Sequence, residues 1–138
     1  MKLSTKPRYG LRILAQIAAD GGDKTPVSGK AVAQKQDISI AYIEQILIPM
    51  RNAGIVRTVR GPKGGYLLDR PATDISLLEI IELFEGPLEL AEDRGNGSAF
   101  ELWDRLSRVL RNEAETITVA ELANMLADEN PPALDFSI

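Results

Sequence analysis

The chain of 138 residues is 44% hydrophobic and 26% charged, which suits one compact domain, or a small domain with a dimerisation segment. It contains no cysteine and no histidine, which excludes disulfides, thiolate nucleophiles, Cys/His zinc sites, cysteine-ligated iron–sulfur clusters and histidine acid–base catalysis. No segment approaches the ~20 apolar residues of a membrane span, and Met1-Lys2 does not lead into a signal-peptide core. We therefore expect a cytoplasmic protein without membrane contact.

Charge is divided unevenly along the chain, although the formal net charge is only −4. Residues 1–71 hold twelve Lys and Arg against five acids, a net charge of +7, whereas residues 72–138 hold four Arg against fifteen acids, a net charge of −11. A basic half of this kind is typical of a surface that faces a polyanion. Two solvated surfaces of different charge would give the same counts, so charge alone does not decide.

Hydrophobic spacing and N-cap residues predict two helices in the first part of the chain. The first covers 5–20, with Thr5 as N-cap, and ends at Asp20-Gly21-Gly22. The second is short and begins after Ser28.

A third helix, at about 40–53, is predicted after the N-cap Ser39. Its apolar residues at helical spacing are Ile40, Ile43, Ile46, Leu47 and Met50. Pro49 lies inside this helix and is expected to kink it or to split off its last turn. With the second helix and the tight turn between them, it forms a helix-turn-helix in which 39–48 is the second member.

A β-hairpin is predicted directly after the helix-turn-helix. The β-branched segment 55–60 alternates like a strand, 61–65 is a glycine-rich turn, and 66–68 is the returning strand. This order of elements is that of a winged helix. The tip of the hairpin, with Arg60 and Lys63, suits close approach to a phosphate backbone or a minor groove.

The second half is predicted to be helical and to contain one exposed loop. Capping boxes at Ser76…Glu79 and Thr118…Glu121 begin the fourth and the last helix. Between them, 86–98 is acidic and glycine-rich and is expected to be an exposed, mobile loop, followed by a long amphipathic helix at about 99–115.

The predicted architecture is therefore mainly α: a winged helix-turn-helix with a two-stranded wing and a long C-terminal dimerisation helix. We expect a DNA-binding domain over 1–72. Residues 73–138 would hold the dimerisation helices, the acidic loop and a C-terminal tail after Pro131-Pro132.

Three segments closely resemble the family of bacterial winged-helix transcription regulators that contains CymR, IscR and NsrR. They are STKPRYGLR (4–12), SIAYIEQILIPMRNAGIV (39–56) and RGPKGGYLL (60–68). The wing string RGxxGGY is more specific than a general helix-turn-helix pattern, and the resemblance covers nearly the whole chain. It implies a homodimer that binds a palindromic operator in double-stranded DNA.

The resemblance also implies which residues form the DNA-binding surface. They are Lys6, Arg8, Ser28, Ser39, Tyr42, Glu44, Gln45, Arg51, Arg60, Lys63 and Gly64. Gln45 can pair bidentately with adenine and Glu44 can accept from cytosine, so both would select sequence. Arg60 and Lys63 would enter the minor groove or bind phosphates. An ordinary solvated side chain is the alternative for each isolated basic residue.

The same resemblance places dimerisation on the helix at 99–115, whose apolar band is wide for so small a monomer to bury alone. Its members are Leu102, Trp103, Leu106, Val109 and Leu110. Burial of this band in the core of one chain is the alternative.

Cluster-binding members of the family carry three cysteines in the loop corresponding to 86–100, and this chain has none. We therefore expect no cofactor and no metal site. The resemblance is strongest to the cluster-free branch, which controls sulfur and cysteine metabolism through a complex with cysteine synthase. The tail ends in isoleucine, so Phe136 and Ile138 are candidates for binding that enzyme. A frayed terminus is the alternative.

We consider three classes of function. The first is a DNA-binding repressor, controlled either by the protein cysteine synthase or by a small ligand. The second is a winged-helix module that binds another protein. An enzyme is rejected because no paired carboxylates are backed by a nucleophile and the glycines at 61–65 do not open a helix.

Overall fold

The structure is a computed structural model and describes residues 2–92 and 97–129. Over these ranges it is mainly α with one two-stranded antiparallel sheet, which confirms the predicted winged helix-turn-helix architecture. The helices are α1 (Thr5–Ala19), α2 (Gly29–Gln36), α3 (Ile40–Asn52), α4 (Leu77–Glu85), α5 (Gly97–Thr116) and α6 (Val119–Glu129). The strands are β1 (Val56–Val59) and β2 (Gly65–Leu68). Among the helices described, none combines the length and apolar character needed to cross a membrane.

The start of α1 differs by one residue from the prediction. Ser4, not Thr5, holds the N-cap position, and its side chain makes no capping hydrogen bond. The backbone N–H of Ser4 donates to Glu85 Oε1 at 3.2 Å, and its hydroxyl donates to the same oxygen. This contact fastens the start of α1 to the end of α4.

Hydroxyl caps begin both helices of the helix-turn-helix, as predicted. Ser28 Oγ accepts from the N–H of Ala31 at 3.1 Å, and Ser39 Oγ accepts from the N–H of Tyr42 at 3.2 Å. Between them Asp37 adopts the left-handed conformation, with φ 54°, which ends α2 and turns the chain into α3.

The helix α3 continues through Pro49 to Asn52, so its last turn is not split off. Proline removes the hydrogen bond to the carbonyl of Gln45. Because Gln45 is exposed, its carbonyl can accept a hydrogen bond from water in place of the missing N–H. Ile40, grouped with the apolar core positions by spacing alone, is 43% exposed.

Strand β2 of the wing is hydrogen-bonded along both of its edges. On one edge β2 pairs with β1, in a register that runs from Val56↔Leu68 to Val59↔Gly65. On the other edge Tyr66 forms an isolated antiparallel bridge with Val27. This bridge, which the sequence pattern did not predict, connects the wing to the residues that lead into α2.

The predicted capping box at the start of α4 forms only in part. Ser76 Oγ accepts from the N–H of Glu79 at 3.1 Å. The Glu79 carboxylate accepts from both terminal nitrogens of Arg70, with Nη1···Oε2 at 3.1 Å, and this hydrogen bond raises the pKa of Arg70. Glu79 therefore links α4 to the segment after the wing, because a guanidinium is a stronger partner than a backbone N–H.

The described part of the acidic loop, 86–92, is attached to α5, so the prediction of a free loop is wrong there. The N–H of Leu90 donates to Ser107 Oγ at 2.9 Å, and Arg111 Nη1 donates to the carbonyl of Leu88 at 2.9 Å. Ser107 is only 2% exposed. The helix α5 also begins at Gly97, two residues earlier than predicted.

One hydrophobic core includes residues from both parts of the chain. From α1, α3, α4 and α6 its members include Ile13, Leu14, Ile17, Ile43, Ile46, Met50, Ile80, Val119 and Ala123. The helix α6 packs across α1. The two predicted regions, 1–72 and 73–138, thus share one core. The boundary between them divides DNA binding from dimerisation, and it stays a prediction.

Candidate nucleic-acid interface

The outer side of α3 presents polar and apolar groups together. Glu44, Gln45 and Arg51 are exposed. Ile40 and Ile48 are 43% and 50% exposed on the same helix. Its other side is anchored by four buried residues, Ile43, Ile46, Leu47 and Met50. Because its buried side is packed into the core, α3 presents its mixed polar and apolar side to solvent in a fixed orientation.

Spacing alone did not identify Ile40 and Ile48 as surface residues, because isoleucine at helical spacing is usually core. Their position is decided by which side of α3 faces α1 and α2. An exposed aliphatic side chain near the start of a recognition helix can contact the C5-methyl group of thymine.

Tyr42 is only partly exposed because its ring packs edge-on against Tyr9 of α1. The ring centroids are 5.8 Å apart and the planes meet at 73°. Ser39 is exposed, and its hydroxyl proton is free to donate although the oxygen caps α3. Both residues lie at the start of α3, the part of a helix-turn-helix that reaches base edges.

The wing tip presents two exposed cations, Arg60 and Lys63. Gly64 gives the tip its shape, since a Cβ there would lie 2.1 Å from the carbonyl oxygen of Val59. The N–H of Gly64 also donates to the carbonyl of Gly61 at 2.9 Å. Gly64 is thus required by the turn itself, and its contact with DNA stays a prediction.

Tyr66, in β2, is not among the predicted site residues, and charges on α3 act on its hydroxyl. Burial, and then the negative charge of Glu44, raise the pKa of Tyr66, whereas Arg51 lowers it. Its hydroxyl therefore remains a hydrogen-bond donor at neutral pH. The sequence feature that could have identified Tyr66 is its position as the last residue of the wing segment RGPKGGY.

Positive charge also lies at the start of α1. Lys6 and Arg8 are exposed there, and Arg8 Nε donates to the carbonyl of Ser4 at 3.2 Å. The Arg8 guanidinium carbon is 5.9 Å from the centroid of the Tyr9 ring. Ser28 is exposed at the start of α2. The structure thus leaves these polar groups accessible, and their contacts with DNA stay predictions.

A continuous apolar stripe along α5 is exposed in the single chain. Its members are Leu102 (58% exposed), Trp103 (51%), Leu106 (45%), Val109 (58%) and Leu110 (38%). The alternative that this band is buried in the core of one chain is therefore wrong. Three of these residues, with Leu90 and Ala91, line an apolar cavity of about 490 Å³.

The residues of this chain do not fit an iron–sulfur cluster, because the sequence lacks the thiolate and imidazole ligands that hold one. Over 2–92 and 97–129 there is also no group of three acidic side chains arranged to hold a metal ion. The candidate partner-binding residues Phe136 and Ile138 lie outside the described residues.

A helix-turn-helix whose second helix faces solvent, followed by a short basic hairpin, defines a winged-helix transcription regulator that binds DNA. Residues 3–125 match the model of the Rrf2 family, described as iron-dependent transcriptional regulators. The chain belongs to this family, and its sequence lacks the cysteine and histidine ligands of an iron–sulfur cluster.

Relatives of known structure support the same assignment. The chain is 39% identical over 127 residues to the HTH-type transcriptional regulator CymR of Bacillus subtilis, covering 90% of this chain and 91% of that one. A structure of CymR, the global cysteine regulator of B. subtilis, superposes with a TM-score of 0.80 at 36% identity, covering 91% of this chain and 98% of the other. IscR of T. potens gives a TM-score of 0.72 at 33% identity, covering 97% and 92%.

Proposed function

We propose that the chain is a homodimeric repressor that recognises a palindromic operator in double-stranded DNA. The observation that carries the proposal is the outer side of α3, which is exposed over Glu44, Gln45 and Arg51, while strand β1 of the basic wing lies against the same helix. A rigid helix of this kind enters the major groove, and the wing lies beside it on the backbone or in the minor groove.

Individual contacts follow from side-chain chemistry. Gln45 pairs with adenine, Glu44 accepts from cytosine, and Ile40 contacts a thymine methyl group. Tyr42 and Ser39 flank these contacts at the start of α3. The phosphate-binding groups, which give affinity without sequence preference, are Lys6, Arg8, Ser28, Arg51, Arg60 and Lys63.

Dimerisation through α5 would complete the molecule. Five exposed apolar side chains form one stripe along a 20-residue helix, a long surface for a monomer to leave in water. A second copy of the same stripe, related by a two-fold axis, would cover it and set two winged helices at a fixed spacing. That spacing would match the half-sites of a palindrome.

The regulated genes are proposed to serve cysteine or sulfur metabolism, since the relative of 39% identity is CymR and its structure is that of a global cysteine regulator. Control would come from cysteine synthase, bound by the C-terminal tail with Phe136 and Ile138. The support for this step is the residue content of the tail, which holds the apolar side chains of Phe136 and Ile138.

The experiment is binding of the purified chain to a duplex from its own upstream region, with a scrambled duplex as competitor. Affinity is measured by fluorescence anisotropy at about 50 mM and about 200 mM salt, because phosphate contacts release counterions and the affinity should fall steeply. Preference for the upstream duplex with a steep salt dependence supports the regulator. Equal, weak binding to both duplexes would contradict it and favour a protein-binding winged helix.

Control by cysteine synthase is tested separately, by adding the enzyme to the same titration. The proposal expects tighter operator binding in its presence, and loss of that effect when Ile138 is deleted. Operator binding that is indifferent to the enzyme would leave the DNA-binding regulator in place and overturn only the cysteine-synthase step.

A further inference from the structure

Arg12, on α1, connects the end of α2 to an aromatic pair that reaches the recognition helix. Its Nε donates to Gln36 Oε1 at 2.9 Å, and its Nη2 donates to the backbone carbonyl of Gln36. The guanidinium carbon also lies 4.8 Å from the centroid of the Tyr9 ring. Tyr9 in turn meets the ring of Tyr42 edge-on, at 5.8 Å.

The other end of this arrangement is fixed by buried amides. Gln36 Nε2 donates to Gln16 Oε1 at 2.7 Å, and Gln16 Nε2 donates to Asp20 Oδ1 at 3.1 Å. Gln16 and Gln36 are only 6% and 9% exposed. Because buried polar groups are costly to leave without partners, this chain of bonds holds the Arg12 side chain in one conformation.

Arg12 therefore contacts the α2 side of the turn in the helix-turn-helix directly, and it reaches the α3 side through Tyr9. Gln36 is the last residue of α2, followed by the left-handed Asp37, and Tyr42 lies in the first turn of α3. A fork of two hydrogen bonds with an aromatic stack needs the planar guanidinium, which lysine cannot replace. The contacts thus constrain the direction in which α3 leaves the turn.

We propose that Arg12 is a positioning residue for DNA recognition, which sets the orientation of α3 and so the selectivity for operator sequence without contacting DNA. This inference rests on the proposed function, since it assumes that α3 reads the operator. Base contacts depend on bidentate geometry, so a small rotation of α3 weakens them, whereas contacts with phosphates tolerate it.

The test is Arg12→Lys in the full chain, with Arg108→Lys as the matched control. Arg108 is an exposed arginine on α5 that pairs with Asp104 at 3.3 Å and lies outside the proposed DNA-binding residues. For Arg12→Lys we expect the ratio of operator affinity to scrambled-duplex affinity to fall about tenfold, the equivalent of part of one base contact. The slope of log affinity against log salt should not change, and Arg108→Lys should keep the wild-type ratio.

An unchanged ratio in a folded Arg12→Lys protein would overturn the inference. An equal loss on both duplexes for Arg12→Gln, with a smaller salt slope, would overturn it as well, because it would make Arg12 a phosphate contact. If Arg12→Lys fails to fold, Tyr9→Leu interrupts the same contact at the ring and should lower the ratio, whereas Tyr9→Phe should not. Failure of the proposed function itself is distinguishable, since the wild-type chain would then show no operator preference.

Discussion

Tyr66 in the wing and Val27 before α2 exchange two backbone hydrogen bonds, of 2.8 and 2.9 Å, across an isolated antiparallel bridge. Gly65 makes this close approach possible, since a Cβ there would lie 2.4 Å from the carbonyl oxygen of Val27. The angle between the wing and the helix-turn-helix is therefore fixed by backbone atoms, independently of side chains at the wing tip.

Gly65→Ala should detach the wing from α2. The added methyl meets backbone, which cannot move aside as a side chain would, and φ at Gly65 is +152°. We expect a loss of about 1–3 kcal/mol in the free energy of unfolding, measured by thermal and denaturant melts. The control is Gly61→Ala, with φ +112° but open space around the new methyl. Equal losses for the two variants would show that the bridge adds nothing beyond backbone strain.

Arg60→Ala should weaken binding to operator and scrambled duplex alike. Each phosphate contact contributes about 0.9 to the salt slope, so losing one in each subunit of a dimer should reduce the slope by about two. Titrations at a series of salt concentrations measure this slope. Arg108→Ala removes the same charge from α5, where Arg108 pairs with Asp104 at 3.3 Å, and should leave the slope unchanged. The same reduction in Arg108→Ala would point to net charge as the cause.

Trp103→Arg should prevent dimerisation, because it places a charge in the middle of the exposed stripe on α5. Sedimentation velocity should show a monomer with the helical content of the wild type, and operator affinity should fall at least tenfold because one half-site is lost. Met125→Arg is the matched control, since Met125 on α6 is 57% exposed and lies outside the stripe. A Trp103→Arg protein that still sediments as a dimer would place the interface elsewhere.

Local signals predicted most of the fold. Ser28 and Ser39 were identified as N-caps, and the wing was identified by its alternating strands and glycine turn, because both signals act over a few residues. The Val27–Tyr66 bridge could not be found in this way, since it joins residues 39 positions apart whose pairing depends on how α2 packs.

The DNA-binding role of the candidate site residues stays a prediction, and the geometry of the site could not be derived from the sequence. Spacing along α3 assigned Ile40 to the core, because a period of 3.6 identifies a helix but not which of two apolar edges faces inward. The contact between Tyr9 and Tyr42 was equally hidden, and it decides how far Tyr42 can reach. The polar composition of the acidic loop predicts a free segment, yet Ser107 and Arg111 hold the backbone of its described part, 86–92.

Ile40→Ala should reduce operator affinity because it removes a contact with a thymine methyl group. The prediction is tested with an operator in which thymines are replaced by uracil, which lacks that methyl. For the wild-type chain the replacement at the contacted position should lower affinity about fivefold to tenfold, and for Ile40→Ala it should have no further effect. Ile48→Ala, farther along α3, should keep the wild-type response. A uracil effect that persists in Ile40→Ala would assign the methyl contact to another residue.

Ser107→Ala should release the described part of the acidic loop from α5. Ser107 Oγ accepts from the N–H of Leu90 at 2.9 Å and donates to the carbonyl of Trp103 at 2.9 Å, so alanine leaves a backbone N–H without its partner. We expect a loss of about 1 kcal/mol in stability and faster hydrogen exchange at the Leu90 amide. Ser98→Ala, an exposed position near the start of α5, is the control and should change neither. Unchanged exchange at Leu90 in Ser107→Ala would mean that the bonds of Leu88 with Arg111 and Glu82 hold this part of the loop without Ser107.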